Sequence, residues 1–461
     1  IIFLAIFLAF AGVLGYIIYI QTAEKNRWLA LAEGQIKKDV PIPPTRGNIL
    51  SANGDLLATS IPRYTVFMDT RVEALHLGSD TLFYRHVDSL AFTLSRVVKD
   101  KTPAEYKQRM VQAFKNGKQI RIVDGSINYL QKKQLEEYPL IRKGVYKSGF
   151  QFVDQHKRIK PFGSLSSRTI GSIYGESGQG NAGLEKSFDT YLSGKPGIAV
   201  QQSIAGHKEQ VPVKEAVNGY DVVTTLDPNL MDICEANLIA VLKHTQADWG
   251  CVILMETKTG QIKAISNLDR TEDGSYVERV NHAVTRVEPG STFKTIALMA
   301  ALDDGKIDID DTVSVTAKSW NYNGSLHTDS HPRDTIYTVQ SALAVSSNIA
   351  FAKIITTAYE KKAGKFVDKL TRMGITQGFE SEIPGASPPR IEVPNDAVTL
   401  SKMAYGYALE LSPMQLLAFY NGIANNGKMI TPYMVSRIEK NGEVIKSFSS
   451  RTIKSSLCSS G

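Results

Sequence analysis

The sequence predicts an α+β protein: an N-terminal transmembrane helix, an elongated mixed α/β pedestal, then a domain of helices packed on a mixed sheet. Three observations carry this. Residues 1–20 are an uncharged apolar run, long enough as a helix to cross a bilayer core. Residues 21–220 mix short helical and strand-like segments without a cluster of reactive side chains. From residue 221 onward, a strand, a helix, a hairpin and a buried helix follow one another, the order of a sheet with helices against it. The expected domains are therefore 1–20, 21–220 and 221–461.

Each element has its own warrant. The apolar run continues through Tyr16, Ile17, Ile18, Tyr19 and Ile20 without the short core and small-residue site of a cleaved signal peptide, so it reads as an anchor. Thr22–Gln35 has helical spacing and is broken by Pro41, Pro43 and Pro44. Arg46–Ala58 reads as two strands joined at Asn53-Gly54, and Ser60–Asp69 stays extended. Gly183–Asp189, running on to Gly197, reads as a short helix ending in a glycine turn. Past residue 220 the expected elements are a strand Asp221–Thr225, a helix Asn229–His244, and strands Gly250–Met255 and Gln261–Asn267 around a turn at Lys258-Thr259-Gly260. Two helical segments, Thr338–Val345 and Ile349–Ile355, flank Ser346-Ser347-Asn348, which is expected in a short loop.

Composition excludes several classes. With 43% hydrophobic and 21% charged residues among 461, most of the chain is globular. A net charge of +7 suits an anionic membrane or wall polymer as well as nucleic acid, and no nucleic-acid module accompanies it. Cys234, Cys251 and Cys458 have no disulfide or metal spacing, and the first two are expected in the core. Gly175, Gly178 and Gly180 form no Walker loop, since none of them is followed directly by Lys-Ser/Thr. His327 and His331 lie in a segment read as a loop between Gly324 and Pro332, which denies them helical ligand spacing, and no third metal ligand is evident. No Gly-x-Ser-x-Gly elbow is present.

The chemistry concentrates at Glu288-Pro289-Gly290-Ser291-Thr292-Phe293-Lys294, ahead of the apolar run Thr295–Leu302. Pro289 and Gly290 break the preceding structure, and Ser291 is placed to cap the helix, with Lys294 on the same face one turn on. A serine hydroxyl needs a base, and a lysine whose amine is held neutral by burial can be one. An arbitrary Ser-x-x-Lys is a cap beside a solvated lysine. This one is unique in the chain and fronts a wholly apolar helix. Ser346 and Asn348, two apart in a short loop, can present one hydroxyl for proton relay and one amide for a substrate group. Ser51-Ala52-Asn53 and Ser126-Ile127-Asn128 match the same pattern and read as turns.

Ser-x-x-Lys followed by Ser-x-Asn is the signature of the penicillin-recognising serine acyltransferases, and the chain resembles a class B penicillin-binding protein. Tyr405-Gly406-Tyr407, Ser412-Pro413-Met414-Gln415 and Asn425-Asn426-Gly427 extend the likeness, as do the anchor and Gly183-Leu184-Glu185. The form of Arg46–Asp69 looks most like the septal transpeptidases of Bacteroidetes-type bacteria. The resemblance implies a transpeptidase domain with helices on both faces of a mixed sheet, a dimerisation-type pedestal, and acyl transfer outside the cytoplasmic membrane without metal or cofactor. Ser291 would attack the D-Ala-D-Ala carbonyl of peptidoglycan stem peptides, and its N–H would supply half the oxyanion hole. Lys294 would be the base, Ser346 the relay and Asn348 the holder of the substrate amide. β-Lactams would acylate the same serine. A SEDS-type glycosyltransferase and other division proteins are the implied partners.

One departure is plain. The family's third motif, Lys-Thr/Ser-Gly, should follow Ser-x-Asn, but the chain's Lys258-Thr259-Gly260 precedes Ser291 in a hairpin turn and reads as a decoy. The expectation is a fragment truncated at both ends, impaired as it stands, with an unpaired sheet edge. The competing readings are a catalytically silent scaffold that recruits division proteins and a β-lactam-sensing receptor. The long segment from Arg46 to Gly197 argues against a receptor or β-lactamase, and intact Ser291, Lys294, Ser346 and Asn348 argue against a scaffold.

Overall fold

The computed structural model describes residues 2–28, 37–77, 81–175, 177–204, 207–315, 318–331 and 335–459. Part of the helix expected over Thr22–Gln35, residues 29–35, thus lies outside the described residues, as do Glu176 of the glycine-rich loop and Pro332. Ile2–Thr22 is one α-helix with no buried residue. An uncharged helix of that length measures about 31 Å, enough to cross the hydrocarbon core of a bilayer.

Two compact units follow from the contacts of the chain. The first comprises residues 1–46, 60–159 and 194–219. Its core forms where the helices Leu82–Val98, Pro103–Lys115 and Tyr129–Glu136 bury Phe83, Leu90, Leu94, Tyr106, Met110 and Leu135 with Val66 and Met68. The helix starts are specified locally. Thr81 caps the first helix, and Thr102 forms a capping box with Glu105 ahead of Pro103 in the second. A separate antiparallel sheet orders Lys37–Ile42, Gly197–Ile204 and His207–Lys214. Pro41 is tolerated there because its strand is an edge.

The second unit comprises residues 47–59, 160–193 and 220–461. Its sheet is mixed: Asp221–Thr224 runs parallel to Ile49–Leu50 and antiparallel to Val435–Lys440. The helix Pro228–Thr245 adjoins a second sheet of Trp249–Met255, Ile262–Arg270 and Tyr276–Val277. Among the described residues, Trp249–Met255 pairs on one side only. Cys234 and Cys251 are half-buried, with Cys234 packed against the edge of this unit's core.

The largest core cluster surrounds the helix Lys294–Asp303, whose Ile296, Ala297, Ala300 and Ala301 are fully buried against Ile349, Phe351, Ile355, Phe366, Leu370 and Phe419. A helix apolar all round has no solvent side, so it takes the centre. Its C-terminal end is held by a buried cation. Lys369 bonds Asp303 and lies 3.1 Å from Asp304, with 8% of its side chain exposed. The charge also suits the negative end of the helix dipole.

The segment carrying His327 is not a loop. Ser319–Tyr322 and Ser325–Thr328 form a hairpin across Asn323-Gly324, both at positive φ, the backbone that Asn-Gly adopts in a two-residue turn.

Replacing Lys369 by Met should leave Asp303 buried without its cationic partner and lower the unfolding free energy by about 3–5 kcal/mol, read from urea denaturation. A change under about 1 kcal/mol would mean that these charges are solvated.

Candidate active site

The site begins with a local irregularity. Gly290–Phe293 is a 3₁₀ turn, and the α-helix starts only at Lys294. Ser291 is therefore not the helix cap that its position suggests, and no side-chain cap bond forms there. Its hydroxyl stays unspent on the backbone. Side chains three apart eclipse in a 3₁₀ turn, which sets Lys294 over Ser291. Lys294 Nζ donates to Ser291 Oγ at 3.1 Å. Ser291 is exposed, whereas Lys294 is 0% exposed, drawn inward with the apolar helix that it begins.

The opposite wall comes from the break between the helices Val339–Ala344 and Asn348–Tyr359. Ser346 there has φ +56°, a left-handed conformation that costs a non-glycine residue about 1 kcal/mol. The result is that Ser346 turns both its carbonyl and its hydroxyl toward Lys294, at 2.7 and 3.0 Å from Nζ. Asn348 Oδ1 accepts from the same nitrogen at 2.8 Å. Asn348 Nδ2 donates to Thr328 O at 2.9 Å, which fixes the amide with its oxygen inward.

Counting donors shows what this nitrogen can do. Ser346 O and Asn348 Oδ1 only accept, while the two hydroxyls can donate or accept. A neutral amine satisfies the two carbonyls with its two N–H groups and keeps a lone pair for a hydroxyl proton. Burial pushes Lys294 from its ordinary value down to about 8, against the opposing pull of Asp329. The arrangement is that of a base beside a hydroxyl nucleophile.

Several residues that sequence reasoning missed hold these groups. Asp329 accepts from Ser347 Oγ at 2.6 Å and from Ile349 N at 3.0 Å, and Ser347 Oγ in turn accepts from Ala350 N at 3.0 Å as the helix cap. Asp329 thereby anchors the helix turn that carries Asn348. Reading the Asn323-Gly324 turn as a hairpin would have placed it on a strand end facing that helix. Behind Ser291, Gly406 O accepts from Gly290 N at 3.1 Å. A Cβ on Gly406, whose φ is +87°, would stand 2.0 Å from Gly290 O, so only glycine lets the two backbones touch. Glu288 Oε1 accepts from Ala408 N at 2.9 Å, and Tyr420 donates its hydroxyl proton to Thr292 O at 2.7 Å.

Lys258-Thr259-Gly260 lies in the turn between Trp249–Met255 and Ile262–Arg270, where Gly260 O accepts from Tyr433 N. It is not among the groups that meet at Lys294. Among the described residues, no three His, Cys, Asp or Glu side chains are grouped to hold a metal ion.

Comparison with known proteins matches residues 250–459 to the penicillin binding protein transpeptidase domain and residues 41–224 to the penicillin-binding protein dimerisation domain. The chain is 28% identical over 438 residues to the "Probable peptidoglycan D,D-transpeptidase PbpC" of Pseudomonas aeruginosa, covering 92% of this chain and 72% of that protein. It is 23% identical over 446 residues to the peptidoglycan D,D-transpeptidase FtsI of Escherichia coli, covering 94% and 71%. In fold it is similar to the crystal structure of penicillin binding protein 2X from Streptococcus thermophilus, with a TM-score of 0.71 at 20% identity, covering 90% of this chain and 63% of that one.

If neutral Lys294 is the base, acylation of Ser291 by a fluorescent penicillin should rise with pH to a plateau with its midpoint near 8. The sign follows because only the deprotonated amine can take the serine proton, and its fraction grows with pH. Asp329→Asn removes the charge that holds the lysine value up, so its midpoint should move to lower pH. A rate constant flat from about pH 6 to 9 would eliminate Lys294 as the base.

Proposed function

The chain belongs to the class B penicillin-binding proteins, pairing their dimerisation domain with their transpeptidase domain, and from this we propose that it cross-links peptidoglycan stem peptides as a serine D,D-transpeptidase. The observation that carries the proposal is one buried amine within 3.1 Å of Ser291 Oγ, Ser346 Oγ, Ser346 O and Asn348 Oδ1.

The proposed reaction uses these groups in turn. Lys294 takes the Ser291 proton as Oγ attacks the carbonyl of the penultimate D-Ala. The oxyanion forms at the Ser291 N–H, at the positive end of the helix dipole. The C–N bond then breaks, and the terminal D-Ala amine leaves with a proton returned from Lys294 through Ser346. An amine from a second stem peptide attacks the ester on Ser291, loses its proton along the same route and restores the free serine. Asn348 spends one amide hydrogen on Thr328 O and has a second to offer a substrate carbonyl.

The same nucleophile would open a β-lactam ring, and the resulting ester would inhibit the enzyme covalently. We place the work in septal wall synthesis, on the likeness of Arg46–Asp69 to septal transpeptidases, and expect SEDS-type and other division proteins as partners. The exposed apolar helix Ile2–Thr22 supports a single-pass anchor, which the proposed chemistry would set in the bacterial inner membrane with the transpeptidase domain on the outer side.

Labelling full-length protein with fluorescent penicillin, followed by mass mapping, should place the label on Ser291, and Ser291→Ala should remove it. A folded protein that takes no label would sink the transpeptidase reading.

A further inference from the structure

Of the eight histidines in the chain, His327 stands apart by its position. It is 1% exposed, and both ring nitrogens are engaged. Nδ1 lies 2.8 Å from Tyr405 Oη and Nε2 lies 3.2 Å from Ser401 Oγ. Hydrogen-bond bookkeeping fixes the direction of each bond. Ser401 Oγ already gives its one proton to Val398 O at 2.6 Å, so it accepts from His327 Nε2–H. Nδ1 therefore carries the lone pair, and Tyr405 donates to it. The ring is further packed against Trp320, with centroids 5.4 Å apart.

Each end of this cross-link leads to a different catalytic side chain. Tyr405 is followed by Gly406, whose carbonyl accepts from Gly290 N and whose backbone has no room for a Cβ against Gly290 O. Ser291 is the next residue. On the other side, His327 precedes Thr328, whose carbonyl holds the Asn348 amide, and Asp329, which holds Ser347 and Ile349. The nucleophile turn and the Ser346–Asn348 wall belong to segments about fifty residues apart in sequence, and Lys294 bonds to both.

We propose that His327 is a positioning residue for acyl transfer: through its bond from Tyr405 it clamps the Tyr405–Tyr407 segment behind Ser291 to the strand that orients Asn348. Burial and the nearby Lys402 hold the imidazole below its ordinary value, consistent with the neutral tautomer that the bonds require. The proposal rests on the transpeptidase reading, and its test separates the two.

The variants distinguish the Tyr405 bond from mere filling of space. Asn at position 327 offers an oxygen near the site of Nδ1 and can still accept from Tyr405, whereas Leu fills the volume and cannot. With full-length protein and fluorescent penicillin, His327→Leu and Tyr405→Phe should each slow acylation of Ser291 on the order of ten- to a hundredfold. Their combination should be no slower than the slower single variant, and His327→Asn should recover most of the parent rate. Hydrogen exchange at the Gly290 amide should quicken in the Leu and Phe variants but not in the Asn variant, an effect independent of any chemistry at Ser291. Parent-like acylation and exchange in His327→Leu would overturn the clamp while leaving the transpeptidase reading intact. A rate lost equally in the Leu and Asn variants, in step with melting temperature, would overturn it in favour of a structural histidine. Absence of label from the parent with exchange behaving as expected would overturn the catalytic reading and the role in acyl transfer, leaving only a structural clamp.

Discussion

The second unit is organised around one amine in an apolar place. Lys294 opens a helix with no solvent side, so packing that helix centrally takes the side chain in with it. An ammonium so placed is costly unless it is bonded all round. The fold supplies oxygens rather than a paired carboxylate, and this choice sets the chemistry. An adjacent carboxylate would keep the lysine charged and useless as a base. Carbonyls and hydroxyls satisfy the neutral form just as well, and burial then favours it.

The rest of the arrangement can be understood as the cost of holding those oxygens. Ser346 is kept in a left-handed conformation because its neighbours are pinned: Ser347 by Asp329 and as a helix cap, and Asn348 by Thr328 O. Asp329 is close enough to raise the Lys294 value somewhat yet bonds to a serine and a backbone amide instead. It steadies the wall without pairing directly with the Lys294 amine. On the nucleophile side, Gly406 against Gly290 and Tyr420 on Thr292 O fix a turn too short to be rigid alone. Local strain persists where surrounding contacts over-determine it.

What the sequence made legible divides along physical lines. Signals that repeat or sit close in the chain were readable: the apolar N-terminal helix, the strand and helix order past residue 220, and the three-residue spacing of Ser291 and Lys294. The α+β class follows from these. The first turn of the helix departs from its sequence pattern because Ser291 after Pro-Gly looks like any capping serine, and nothing local distinguishes a 3₁₀ start from an α start. The segment around His327 reads as a loop although Asn323-Gly324 carries the hairpin signal, because the polar residues around it mask the short strands. Asp329 and Tyr420, and the role of Gly406 within the Tyr405-Gly406-Tyr407 segment, were invisible for a different reason. Their roles are contacts to backbone groups far away in the chain, which leave no periodicity and no motif. The partial burial of Cys234 and Cys251 likewise depends on what packs against the helix and strand, which local pattern does not encode.

Geometry at Lys294 also bears on how one amine can serve both halves of the proposed reaction. Acylation takes a proton from Ser291, and the departing amine needs one. Nζ stands almost equally far from Ser291 Oγ and Ser346 Oγ, at 3.1 and 3.0 Å, and both serines are exposed while the amine is not. A proton that enters at one hydroxyl can leave at the other without the charged amine meeting bulk water. The two carbonyl bonds hold the nitrogen in place throughout, so the transfer needs hydroxyl rotation and little else. Because each half-reaction takes one proton and returns one, Lys294 ends each in the neutral state in which it began. In the proposed reaction the same buried amine would thus be ready for the acceptor amine as soon as the leaving group has gone.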